Sequence, residues 1–171
     1  LTSTGNGVCG AVVDSMLVTF TPSPTANAGL DKVLCGNNAD AALGGSVTVA
    51  TGGIWRGGGG TFDPSTTNMS ASYTPSAAEI ASGSTTLTLT TTGNGNCNAV
   101  TDNVLLTFTA APTANAGGNS SACVNNADIS LNGLVTVAAG GVWSGGTGIF
   151  TPDNTSLNTL YSPSNAEIVG G

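Results

Sequence analysis

Four cysteines, Cys9, Cys35, Cys97 and Cys123, are the most reactive side chains of this 171-residue chain. Thiols can pair as disulfides, hold soft metals or act as nucleophiles. Dithiol redox catalysis needs a C-x-x-C spacing, and none occurs. The chain has no His, which removes the commonest general base, the Ser-His-Asp and Cys-His arrangements, and the usual zinc ligand. Calcium takes about six to eight oxygens from a clustered loop, and no D-x-D-x-D-G run is present. The densest oxygen-bearing stretch, Asn37-Asn38-Ala39-Asp40, reads as a turn made by Asx side chains bonding their own backbone. Gly57-Gly58-Gly59-Gly60 lacks the Lys and Ser or Thr of a phosphate loop and reads as a flexible turn. The residues therefore point to no catalysis, no metal and no cofactor.

Charge excludes further partners. Nine acidic residues face only Lys32 and Arg56, for a net charge of −7, so nucleic-acid binding is not expected because its phosphates need many cationic contacts. A basic helix on a membrane surface is excluded for the same reason. Charged residues make up 6% of the chain, far below the roughly 25% of ordinary soluble domains. Val, Thr, Ile and Leu nevertheless recur in alternating runs, so the chain should fold.

The elements that position these residues repeat. Pro24-Thr25-Ala26-Asn27-Ala28-Gly29 recurs as Pro112-Thr113-Ala114-Asn115-Ala116-Gly117, 88 residues on. The same shift maps Cys9 to Cys97, Cys35 to Cys123, Trp55 to Trp143, Tyr73 to Tyr161 and Glu79 to Glu167, without insertion or deletion. Such a period exceeds the 20 to 50 residues, roughly, of a solenoid unit and suits one small β-sandwich per repeat. Placing boundaries before Pro24 and Pro112 gives three segments. Residues 1–23 are the C-terminal hairpin of an upstream repeat, 24–111 is one complete repeat, and 112–171 is a repeat lacking its last two strands.

Within the complete repeat the pattern is all-β. Ser84 to Thr92 alternates Leu with Thr, Gly93-Asn94-Gly95-Asn96 tolerates positive φ, and Val104 to Thr109 runs back, which predicts a hairpin. Ser46–Ala50, Gly53–Arg56 and Ala71–Thr74 read as further short strands. One helical turn is predicted after Pro75, with Ser76 and Glu79 as a capping box, repeated by Ser164 and Glu167.

The order Pro-Thr-Ala-Asn-Ala-Gly, Cys, Gly-Gly-x-Trp, Tyr-x-Pro-Ser, Glu-Ile, Leu-Thr-Leu-Thr and Gly-Asn-Gly-x-Cys resembles the Ig-like and PKD-like tandem repeats of giant Bacteroidota surface proteins, such as gliding-motility adhesins of the SprB kind. The resemblance implies tandem Ig-like β-sandwiches, secretion, and display at the cell surface. One departure is visible: Asp31, which follows Asn-Ala-Gly in the first copy, is Asn119 in the second.

In that secreted context two cysteines per repeat argue for a disulfide. Cys35, Trp55 and Cys97 follow the Cys-Trp-Cys order of Ig domains, though with longer spacings and with Cys97 in a turn. Closing one bridge per repeat favours Cys35 with Cys97, leaving Cys9 and Cys123 with partners outside this chain. Bonds of Cys9 to Cys35 and of Cys97 to Cys123, stapling neighbouring repeats, and free thiols are the alternatives. Trp55 and Trp143 read as core residues with glycine neighbours making room for the ring. Tyr73 and Tyr161 read as strand-end core residues whose hydroxyls bond to backbone. Asp14-Ser15-Met16 resembles a Bacteroidota O-glycosylation sequon, which Asn103 breaks in the second copy.

The expected function is a structural repeat module of a secreted cell-surface filament or adhesin stalk, with neighbouring repeats or copies of itself as head-to-tail partners and an unidentified surface or glycan ligand. A carbohydrate-binding module using exposed Trp, and an accessory β-domain of a secreted enzyme, are the alternatives. Residues 112–171 lack a hairpin that should cover part of their core, and Leu1–Thr21 has that hairpin's sequence, with Met16, Val18 and Phe20 alternating on one face.

Overall fold

The structure is a computed structural model describing residues 1–170; Gly171, the last residue of the third expected segment, lies outside the described residues. In chain order the elements of the first repeat are β1 (Thr25–Asn27), β2 (Lys32–Cys35), β3 (Ala41–Ala42), β4 (Ser46–Thr48), β5 (Gly52–Arg56), β6 (Thr61–Asp63), β7 (Ser72–Thr74), α1 (Ala77–Ser82), β8 (Ser84–Thr92) and β9 (Thr101–Thr109). The second repeat contributes β10 (Thr113–Asn115), β11 (Ile129–Asn132), β12 (Leu134–Thr136), β13 (Ile149–Thr151), β14 (Asn158–Ser162) and α2 (Asn165–Gly170). The chain divides into two compact units, one made of Leu1–Lys32 and Asp40–Thr107, the other of Val33–Ala39 and the chain from Phe108 onward.

The first unit is an all-β sandwich. In one sheet β9, β8 and β5 lie in that order, and the other has the order β3-β7-β6. Naming β3, β5, β6, β7, β8 and β9 as strands B to G, these orders are G-F-C and B-E-D, the strand orders of the immunoglobulin fold. The Leu-Thr alternation of β8 produces this layering directly. Leu87, Leu89 and Thr91 are buried on one face of β8, and Val104, Leu106 and Phe108 on one face of β9. Between the sheets these meet Trp55 on β5 and Tyr73 on β7. Each fully buried Leu or Val removes enough apolar surface from water to stabilise by about 1.5 to 3 kcal/mol. The solvent faces of β8 and β9 carry Thr and Asn, and Thr88 Oγ1 donates to Asn103 Oδ1 across the hairpin at 2.7 Å.

Among the described residues the second repeat forms a sheet of the B-E-D type, in the order β11-β14-β13, and a β10-β12 pair. Residues 140–144, which correspond to β5, form no strand.

Candidate functional site

Local sequence builds the same polar cluster in both repeats. Ser76, in extended conformation, caps α1: its Oγ accepts from Glu79 N–H at 3.4 Å, while Glu79 Oε2 accepts from Ser76 N–H at 2.9 Å. Ser164 and Glu167 do the same at the start of α2, at 3.4 and 2.8 Å. The carboxylate also accepts the phenol proton, Tyr73 Oη lying 2.8 Å from Glu79 Oε1 and Tyr161 Oη 2.7 Å from Glu167 Oε1. Each phenol oxygen in turn accepts a backbone N–H, from Gly60 at 2.8 Å and Gly148 at 3.0 Å. Burial pushes Tyr73 up to about 12, helped by its bond to the Glu79 carboxylate. For Glu79, burial acts upward but is outweighed by the Thr85 hydroxyl, the Ser76 N–H and the Tyr73 hydroxyl, which hold it at about 2. Glu167 is held at about 2 first by the Tyr161 hydroxyl, then by the Ser164 and Thr147 N–H groups.

This cluster explains a glycine run that sequence reading took for a flexible turn. Gly58 has φ +69°, and a Cβ there would collide with Tyr73 Oη; Gly146 stands in the same relation to Tyr161. The run is packed, and glycine is required where the phenol meets the backbone. With its carboxylate satisfied on all sides and its proton donors fixed, the cluster ties β7 to α1 and offers no free acid or base.

Trp55 is 1% exposed, and its indole N–H finds no acceptor among the described residues. Trp143 is half-buried, with Nε1 donating to Ser156 O at 3.1 Å. Gly45 and Gly133 lie so close to the two indoles that a Cβ would crowd the six-membered ring. In the second unit the absent sheet leaves apolar grooves. One of about 400 Å³ is lined by Cys123, Val124, Ile129, Tyr161 and Ile168 among others, and one of about 140 Å³ lies beside Val135, Val142, Trp143 and Leu157. In the first repeat the counterparts of this face pack under β8 and β9.

The turn end of that hairpin is already formed at Leu1–Asp14, ahead of the matching apolar residues. Ser3 N–H donates to Val12 O at 2.9 Å, as Thr91 N–H does to Val100 O at 2.9 Å. Val12 N–H donates to Ser3 Oγ at 3.0 Å, as Val100 N–H does to Thr91 Oγ1 at 2.9 Å. Cys9 N–H closes a turn on Asn6 O, and Cys97 N–H on Asn94 O, with positive φ at Gly5, Gly7, Gly93 and Gly95. The bridge of Thr2 with Val13 completes the same register as Thr90 with Thr101. The difference is burial: Met16 is 83% and Phe20 92% exposed, whereas their counterparts Val104 and Phe108 are 1% and 7% exposed.

The four cysteines are free thiols in this structure. Cys97 lies in the turn that precedes Thr101, where its Sγ is 3.5 Å from Thr21 Oγ1 and donates to Pro22 O at 3.7 Å. Cys35 lies by the other end of β9, where Gly36 N–H donates to Thr109 O at 2.9 Å and Thr109 Oγ1 to Leu34 O at 3.2 Å. The Ig-type bond joins strands B and F, and neither carries a cysteine here. Sequence reading missed the role of Asp102 and Asp31, which accept from Ala28 N–H at 2.8 Å and Leu105 N–H at 2.9 Å and fasten the Asn-Ala-Gly segment to β9. The repetition of Asp14 as Asp102 was the available signal.

Among the described residues no group of three His, Cys, Asp or Glu side chains could hold a metal ion, and no helix is long and apolar enough to cross a membrane. No family model matches the chain, and no curated protein matches it. Among solved structures, the extracellular cadherin domains 3–6 of protocadherin gamma B2 are similar over 82% of this chain and 39% of that one, with 11% sequence identity and a TM-score of 0.39.

Proposed function

We propose that the chain is a structural repeat module of a secreted cell-surface filament or adhesin stalk, in which each half-built sandwich is completed head to tail by the hairpin of the unit that follows. The observation that carries this reading is the complementarity of the two open pieces. Leu1–Thr21 holds the turn and register of the β8–β9 hairpin with its apolar side chains in water, and residues 112–170 present the face that such a hairpin covers in the first repeat. An uncovered apolar face and open sheet edge invite strand addition, and a contact between different surfaces at the two ends propagates as an open filament. The resemblance to Bacteroidota repeats supports a place outside the cell. The surface of Thr, Ser and Gly with few charges suits a stalk, and little Lys or Arg is offered to proteases that cut there.

Trp55 offers no face to a sugar ring, so a Trp-based carbohydrate platform gains no support from the complete repeat. Sedimentation velocity and electron microscopy of the 171-residue chain test the assembly. Concentration-dependent filaments are expected, and they should be lost in Val18→Asp/Phe20→Asp, whose exposed positions leave the sandwich of residues 24–111 untouched. Monomers at every concentration, or filaments unaffected by that double substitution, would overturn the reading.

A further inference from the structure

The repeat places two contacts at one point that the chain itself shows separately. At the leading end of a repeat, the residue pair just before it, Thr21 and Pro22, touches Cys97 Sγ at 3.5 and 3.7 Å. At the trailing end, Thr109, the counterpart of Thr21, touches the backbone on both sides of Cys35, accepting from Gly36 N–H and donating to Leu34 O. In an array the same threonine makes both sets of contacts. The turn cysteine of the following repeat therefore meets the Cys35-type cysteine of the preceding one across a single threonine side chain.

We propose that successive repeats are joined by disulfides from the Cys35-type position of one repeat to the Cys97-type position of the next. The inference rests on the head-to-tail reading above. Between copies of this chain it specifies two bonds at each junction. When Leu1–Thr21 of a following copy completes residues 112–170 of a preceding copy, Cys9 of the follower stands at Thr109 of the preceding copy, beside Cys35. Thr21 of the follower then takes the place of Thr109 in the completed sandwich, next to Ala122 to Val124, so that Cys97 of the follower meets Cys123 of the preceding copy. All four cysteines are used, and none pairs within its own repeat.

The arrangement accounts for features that an internal bridge leaves unexplained. In the first repeat Cys97 lies in the turn before β9 and Cys35 beside Thr109 at its last residue, rather than on facing strands. Cys35 and Cys97 are both partly exposed, as a thiol that reacts with another unit must be. Cys123 lines the open groove of the second unit, where the completing hairpin would arrive. Chemically, the two thiols of each pair lose two protons and two electrons as the S–S bond forms, and a disulfide oxidant such as glutathione disulfide takes them up and leaves as two thiols.

The test uses the full chain, mixed from isotope-labelled and unlabelled preparations, assembled, and oxidised with glutathione disulfide. Peptides are mapped without reduction, while sedimentation reports assembly independently. Linked peptides Cys9–Cys35 and Cys97–Cys123, in label-mixed form and comparable amounts, are expected, together with a ladder of covalent multimers on denaturing gels. Cys35→Ser should remove the first link and keep the second; Cys35→Ser/Cys123→Ser should abolish the ladder while filaments persist. Filaments whose cysteines stay free, join Cys35 to Cys97, or pair within one copy would overturn the bridges and leave the head-to-tail reading standing. A chain that stays monomeric would overturn both.

Discussion

In residues 24–111 the indole of Trp55 lies between two sheets, whereas Trp143, in the same local sequence 88 residues later, has one sheet beside it and a groove on the other side. The polar cluster registers this difference only in the Thr85 hydroxyl of β8, which acts on Glu79 and has no counterpart on Glu167 among the described residues. Tyr161, Glu167, Ser164 and Gly148 make the bonds that Tyr73, Glu79, Ser76 and Gly60 make, at distances within 0.2 Å for the phenol-to-glycine contact. The free hairpin at Leu1–Asp14 likewise keeps the turn of its packed counterpart. Caps, Asx bonds and glycine turns are satisfied by neighbours in sequence, so they form in a half-built domain. Burial needs a second layer, which among the described residues covers only the first repeat.

The largest effect that would sharpen this contrast comes from a charge placed on one strand type in two settings. Leu106→Asp buries an unpaired carboxylate in the sandwich and should destabilise the first repeat by more than about 4 kcal/mol. Val18→Asp, at the corresponding position of the exposed strand, should leave thermal unfolding of the unassembled chain unchanged. Equal effects in circular-dichroism melts would break the comparison.

Next in size is the indole pair. Trp55→Ala should cost about 3 to 5 kcal/mol, and Trp143→Ala distinctly less, because its ring already meets solvent. Chemical denaturation followed by circular dichroism measures both. Assembly should bury Trp143 and shift its emission to shorter wavelength; no shift on filament formation would count against hairpin docking.

The caps predict a smaller and equal effect. Ser76→Ala and Ser164→Ala each remove the same N-cap bond and should each cost about 1 kcal/mol, read as matching shifts in the denaturation midpoints of the two regions. A large inequality would show that the cap depends on the sandwich after all.

The pH dependence is the finest test. Glu79 has its folded value held at about 2, below its ordinary 4.5. Its contribution is therefore fully present above about pH 4.5 and is lost as pH falls from there through 2. Tyr73 runs the other way: with its folded value raised from 10.0 to about 12, its contribution is present below pH 10 and is lost as pH rises through 12. Denaturation midpoints across both ranges should slope accordingly in the wild-type chain. Glu79→Gln should flatten the acid slope and, by removing the charge beside the phenol, weaken the alkaline one; an unchanged acid slope would place the carboxylate outside the cluster.

Much of this was legible in the residues. The Leu-Thr alternation of Ser84–Thr92, the Gly-Asn-Gly turn and the Ser-x-x-Glu box are local signals, and each forms where it was read. The packed nature of Gly57–Gly60 was not legible, because a glycine run looks the same whether it is mobile or pressed against a phenol arriving from β7. The partners of the cysteines were not legible either, because spacing along the chain does not fix which thiols meet. By itself the sequence determined the 88-residue period, the all-β class, the hairpins and the capped turns, since these rest on side-chain alternation and on bonds between near neighbours. Only the tertiary structure decided which apolar faces are covered and that Gly58 is pressed against the Tyr73 phenol, because both depend on how strands distant in sequence are layered against one another.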